Sequence, residues 1–197
     1  MKESIRKICR AGSGNHRFFG GTWTGGYLVQ QNPRELAELI RLLQEHQPYE
    51  HSLEIGVAAG GTTRLIRQTV EIGSTAVIDN AAHPQYGVWR RNKQEIEPLD
   101  DFAGDSHSPA AAEFLAGLNR KFNYVAIDGD HSYDGVCQDW DLVQPYLAER
   151  AIVWFHDIHV LLRGNDGANR LWHERLSIDH EVLLETPGPF GIGVIRV

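Results

Sequence analysis

Apolar residues recur at helical spacing near the start of the chain: Leu36, Leu39, Ile40 and Leu43 form one stripe in "NPRELAELIRLLQEH". Asn32 stands at the N-cap position, and Pro33 takes the first helical position, where a missing N–H costs nothing. From there the pattern alternates. The runs "HSLEIGV", "TAVIDN", "PLDDFAGDS", "FNYVAIDGD" and "AIVWFHDI" read as strands or contain one. Helical segments lie between and after them: "GTTRLIRQTVEI", "QYGVWRRNKQEI", "SPAAAEFLAGLNRK" with Ser108 as N-cap, "GVCQDWDLVQPYL" and "NDGANRLWHERL". Two further strands, "HEVLLET" and "GIGVIRV", are separated only by "PGPF", short enough for a hairpin. This alternation predicts an α/β, Rossmann-like doubly wound fold. Its seven-stranded sheet is mostly parallel, with helices on both faces and an antiparallel hairpin at one edge. Residues 1–31, rich in glycine and aromatics, read as an N-terminal arm or cap, and 32–197 as a single domain.

Composition narrows the classes. A chain of 197 residues with 42% hydrophobic and 23% charged residues can bury a sizeable core. Its net charge of -7 argues against a nucleic-acid partner, although Arg90, Arg91 and Lys93 cluster locally. Cys9 and Cys137 form neither a CxxC nor a disulfide framework, and no apolar run is long enough for a signal peptide or a membrane span. A cytoplasmic protein acting on a small molecule is the expectation, with no membrane partner.

Four strand ends carry candidate chemistry. In "LEIGVAAGGTT" a strand ends at Glu54-Ile55-Gly56, and a turn with Gly60 and Gly61 opens a helix. Lysine does not follow the glycines, so this is no P-loop, and the pattern is not GxGxxG. An acid inside the motif suits a ligand with a cationic group. The same residues also fit an ordinary strand–helix turn. Asp79 ends the next strand, where a carboxylate can accept ribose hydroxyls or simply shape a turn. "AGDSH" follows the third strand, as a ligand-side turn or as the approach to a helix cap. "VAIDGDHSYDGVCQDW" and "WFHDIH" end two consecutive apolar strands in acid/His clusters. Asp128, His156 and Asp157 offer two carboxylates and an imidazole to one divalent cation. His131 has the residue type for general base work, because an imidazole titrates near neutrality. Asp134 and Asp139 read as helix capping and surface, and Gly129 as the residue that lets the turn bend.

In this order the motifs resemble a class I S-adenosylmethionine-dependent methyltransferase. "IDGDHSYDGVCQDW", "FHDI" and "QQNPRELAELIRLL" resemble a narrower branch that includes macrolide sugar O-methyltransferases and cephalosporin-hydroxylase-like proteins. The resemblance spans about Gln30 to Val197. It implies S-adenosylmethionine as cofactor, with Glu54, Gly56, Ala58, Gly60 and Gly61 around the methionine portion. Asp79 would hold the ribose, Asp105 and Ser106 the adenine side, and Asp128 would border cofactor and acceptor. In metal-dependent relatives, acids at the positions of Asp128, His156 and Asp157 hold magnesium; His156 departs from that pattern, and imidazole suits manganese or another metal better. The histidine three residues after the first acid, here His131, is the proposed base in sugar-methylating relatives.

The implied reaction is O-methylation of a hydroxyl on a small molecule or sugar. His131 and Asp128 would be its catalytic residues, and Asp128, His156 and Asp157 its metal ligands. The alternatives are a hydroxylase-like use of the scaffold, or a cofactor-binding protein without catalysis. Phe18, Phe19, Trp23 and Tyr27 in the arm fit three roles equally: closing over the acceptor, a homodimer contact, or cover for the sheet edge.

Overall fold

The structure, a computed structural model, describes residues 29–197. Cys9, Phe18, Phe19, Trp23 and Tyr27, and with them most of the expected arm, lie outside the described residues.

The first helix forms as its caps dictate. Helix α1 spans Pro33–His46, and the Asn32 side chain accepts the Arg34 N–H at 2.9 Å. Leu36, Leu39, Ile40 and Leu43 are all fully buried. Alternation follows: β1 (Tyr49–Ile55), α2 (Gly61–Thr69), β2 (Ile72–Asp79), α3 (Tyr86–Asn92), β3 (Leu99–Ala103), α4 (Pro109–Leu118), β4 (Phe122–Ile127), α5 (Tyr133–Val143) and β5 (Leu147–His156). Helix α6 begins at Gly167–Leu171, widens into a π turn at Trp172–Leu176 and ends at Ser177–Asp179. Strands β6 (Glu181–Glu185) and β7 (Ile192–Arg196) close the chain.

The strands form one sheet in the order β3-β2-β1-β4-β5-β7-β6. The first five run parallel, and β7 inserts antiparallel between β5 and β6. The expected edge hairpin is therefore present, with a single strand reversed. Both faces are covered, as the period-two pattern of β5 requires. Ile152 and Trp154 pack with α1 and α2, and Val153 and Phe155 with α4, α5 and α6. Among the described residues, no helix is long and apolar enough to cross a membrane.

Element ends differ from the sequence reading where side chains compete with helix geometry. Helix α2 stops at Thr69 instead of running to Ile72, because Val70 is extended (φ -125°) and Ile72 already pairs with Tyr49 in the sheet. β-Branched residues favour that outcome. Helix α5 starts two residues early, since Ser132 accepts the Gly135 N–H at 3.1 Å and is the true N-cap.

Candidate functional site

Strand order reverses between β1 and β4, which is where open α/β sheets bind ligands at the carboxyl ends of their strands. A cleft of about 870 Å³ lies there. Of the residues singled out in the sequence, Glu54, Gly56, Ala58, Gly61, Asp79, Asp105, Ser106, Asp128, His131, His156 and Asp157 line it. Gly60 does not. It has φ +76°, and a β-carbon there would meet the Trp89 ring at 2.3 Å, so its role is to let α3 close on the turn.

The glycine turn is built from several contributions. Gly56 has φ +85°, and a β-carbon would lie 2.1 Å from the Asp128 carbonyl oxygen. Glycine is thus required for β1 to cross the turn after β4, a constraint stronger than ligand approach. Asp79 Oδ2 accepts the N–H groups of Val57 and Ala58 at 2.8 and 2.9 Å, and Oδ1 accepts Ala81 N–H at 2.7 Å. Three of the carboxylate's roughly four acceptor sites are therefore used by backbone. Those bonds hold Ala58 at φ 49°, an uncommon conformation for alanine. The Asp105 carboxylate accepts His107 N–H at 2.9 Å, and the Ser106 hydroxyl donates to Asp139 at 2.6 Å.

Glu54 is deeply buried at the cleft floor. Burial pushes its pKa up to about 8, and the charges of Asp128 and Asp79 push the same way, while Thr63 counters part of the rise. Among the described lining residues there is neither lysine nor arginine. A buried acid whose neighbouring charges are the carboxylates of Asp128 and Asp79 fits an ammonium-bearing ligand, which would draw the carboxyl back to its ionised form.

Beside it sits a cluster of two acids and two histidines. The register Ile127↔Phe155 brings the ends of β4 and β5 level, so Asp128 meets His156 and Asp157. His156 Nδ1 lies 3.4 Å from Asp128 Oδ1 and 3.2 Å from Asp157 Oδ1. Burial alone would lower the His156 pKa, but Asp128 first and Asp157 next outweigh it, and the net value is about 9. His156 thus carries the positive charge between two carboxylates. It must lose a proton before it can ligate a metal. His131 Nδ1 lies 2.8 Å from Asp157 Oδ2, and its Nε2 lies 3.8 Å from Asp128 Oδ1. The Asp157 hydrogen bond raises the His131 pKa, against the opposing effect of burial. Asp157 itself has φ 61°, so the backbone is held out of its ordinary range to present this side chain.

One ligand atom each from Asp128, His131 and Asp157 lie within 4.8 Å of one another. Two oxygens and one imidazole nitrogen fit zinc, manganese or iron better than magnesium. This trio contains His131 where the sequence suggested His156.

Two site residues were missed. Gln31 donates to Asp128 Oδ2 at 2.8 Å and accepts from the Thr62 hydroxyl, so it ties the start of α2 to the acid after β4. Nothing in its spacing marks it. Asp139, expected at the surface, is fully buried. A signal existed: it shares the apolar face of α5 with Val136 and Val143, three residues before and four after.

A methyltransferase-domain family matches residues 53–158. No match was found among curated proteins. Solved structures share the fold. The N-methyltransferase NodS from Bradyrhizobium japonicum WM9, in complex with S-adenosyl-L-homocysteine, has a TM-score of 0.59 at 16% identity over 82% of this chain and 84% of its own. The O-methyltransferase TomG from Streptomyces achromogenes, involved in tomaymycin synthesis and solved with S-adenosylmethionine, has 0.62 at 18% identity over 99% and 89%. CalS11, a TDP-rhamnose 3'-O-methyltransferase of calicheamicin biosynthesis, has 0.61 at 16% over 82% and 76%.

Proposed function

Because the chain belongs to the methyltransferase-domain family that matches more than half of its length, we propose that it is an S-adenosylmethionine-dependent O-methyltransferase whose general base is His131. The observation that carries this reading is the 2.8 Å contact between His131 Nδ1 and Asp157 Oδ2 at the rim of the cleft. With Nδ1 donating to Asp157, the Nε2 lone pair is free to take a proton. This is the logic of a base oriented by a carboxylate.

S-adenosylmethionine supplies a methyl group on a positively charged sulfur. Glu54 receives the ammonium end of that molecule, and the Asp105–Ser106 turn borders its base. Asp79 keeps the glycine turn in place and retains one acceptor site for a ribose hydroxyl. His131 removes the proton from the acceptor hydroxyl at Nε2. Asp157 and Asp128 stabilise the imidazolium that results. Gln31 holds Asp128 by Oδ2, which leaves Oδ1 turned toward the histidines. The acceptor is a small molecule or sugar.

Transfer of labelled methyl from S-adenosylmethionine to a panel of hydroxylated acceptors tests this reading. Label should appear in product with release of S-adenosylhomocysteine. Binding of that product without turnover on any acceptor would favour a non-catalytic cofactor-binding role. A second reading is favoured by the Asp128–His131–Asp157 trio, which would hold a divalent cation that polarises the acceptor oxygen. Chelation separates the two. The base reading expects turnover to survive EDTA, and the metal reading expects loss that zinc or manganese restores.

A further inference from the structure

Asp139 belongs to a helix whose other buried residues are apolar or glycine, yet its carboxylate reaches two turns of the cleft at once. Oδ1 accepts the Ser106 hydroxyl at 2.6 Å and faces His107 Nε2 at 3.1 Å. His107 Nε2 also faces the Gly135 carbonyl at 3.2 Å. Both of these partners are acceptors, so Nε2 carries the proton. Oδ2 turns the other way, to the Asp130 N–H at 3.4 Å. It also packs against Gly129, where a β-carbon would sit 2.8 Å from it. Gly129 therefore makes room for the carboxylate as well as letting the chain bend. Three donors converge on one fully buried side chain. Such a carboxylate is stable only while they remain in place.

The two turns have different jobs. Asp105 and Ser106 border the base of the cofactor in the function proposed above, and Gly129 to His131 carry the proton-transfer end. We propose that Asp139 is a positioning residue that locks the Ser106–His107 turn to the Gly129–Asp130 turn, and so sets the adenine subsite against the catalytic histidine. It touches neither reactant. The inference rests on the cofactor assignment, and the test keeps the two apart: wild-type protein that fails to bind S-adenosylhomocysteine overturns the assignment, whatever Asp139 does.

Given wild-type binding, the Asp139 variants are read by calorimetry with S-adenosylhomocysteine, well below each variant's melting temperature. A hydrogen bond to a charged group is worth enough that Asp139→Ala should weaken binding by about tenfold or more. Asp139→Asn keeps one carbonyl for Ser106 and His107 but loses the acceptor facing Asp130. It should fall between wild type and alanine, a partial rescue that mere space filling does not produce. Ser106→Ala should weaken binding in the wild-type background and cost less in Asp139→Ala, where its acceptor is already gone. Hydrogen exchange of the unliganded Asp139→Asn protein should quicken at residues 104–108 and 129–131 while β4 and β5 keep their protection. Binding within twofold of wild type, strictly additive effects of Ser106→Ala, or exchange that quickens throughout the sheet would each overturn the proposal. Should the Asp139 variants fail to fold, Ser106→Ala and His107→Ala serve instead. Both donate to Oδ1, so their effects on binding must be non-additive, and full additivity overturns the proposal.

Discussion

His131 and Asp157 are joined by a 2.8 Å contact between Nδ1 and Oδ2, across the ends of two adjacent parallel strands. The pairing fixes the imidazole by one nitrogen and leaves the other toward Asp128 at 3.8 Å. His131→Ala should lower kcat by about 10²- to 10⁴-fold, the usual worth of a positioned general base. S-adenosylhomocysteine affinity should stay within about twofold, since the cofactor side of the cleft is untouched by the change. Steady-state kinetics beside calorimetry reads both quantities on one protein.

Asp157→Asn tests the electrostatic half of the pair. Asp157 holds the His131 pKa above the ordinary imidazole value of 6.5. His131 must be neutral to accept a proton, so wild-type turnover should rise with pH through an acidic limb above that value. Removing the charge should move the limb to lower pH and reduce the plateau. The stability effect has a defined sign. A histidine raised on folding stabilises fully below its unfolded pKa, and that contribution is lost as pH rises through the folded value. The variant should therefore lose more melting temperature at pH 6 than at pH 9.

Glu54 predicts a proton released on binding. Its folded pKa of about 8 lies above the ordinary 4.5, so the free protein holds this carboxyl protonated at neutral pH. An ammonium group beside it favours the carboxylate. Affinity for S-adenosylhomocysteine should therefore increase with pH up to about 8 and then level off. Calorimetry at pH 7 in buffers of different ionisation enthalpy should show a net proton leaving the complex. Glu54→Gln should bind more weakly and show no such release. In the free protein the stability contribution runs the other way, being full below the unfolded pKa and lost as pH climbs through about 8.

Two glycines give opposite results under the same substitution. Gly56→Ala puts a β-carbon 2.1 Å from the Asp128 carbonyl oxygen at φ +85°. It should cost on the order of 3 kcal/mol or more, from strain and overpacking combined. Gly117, inside α4, has nothing within 4 Å of its β-position. Gly117→Ala should stabilise by about 0.5–1 kcal/mol through helix propensity and a less flexible unfolded chain. Urea unfolding of the two variants checks both signs.

Much of this was legible in the chain because hydrophobic periodicity and caps act locally. Asn32 with Pro33, and Ser108 with Pro109, fixed the starts of two helices, and the strand ends brought Asp128 beside His156 and Asp157 as the alternation implied. The failures have a common cause, since they depend on partners distant in sequence. Asp139 looked like a surface acid because its donors lie on a loop about 30 residues away and on the turn before its own helix. Gln31 acquires its meaning from Asp128, 97 positions along. Gly56 and Gly60 are glycines for the sake of Asp128 and Trp89, contacts that no local pattern encodes.

The central claim is that the cleft between β1 and β4 is built for S-adenosylmethionine. Titrating the full chain with S-adenosylhomocysteine by calorimetry tests it most directly. The account predicts saturable binding at one site per chain, tightening as pH rises toward about 8 and weakened by Glu54→Gln. A flat titration at millimolar ligand across that pH range, with no rise in melting temperature, would contradict it.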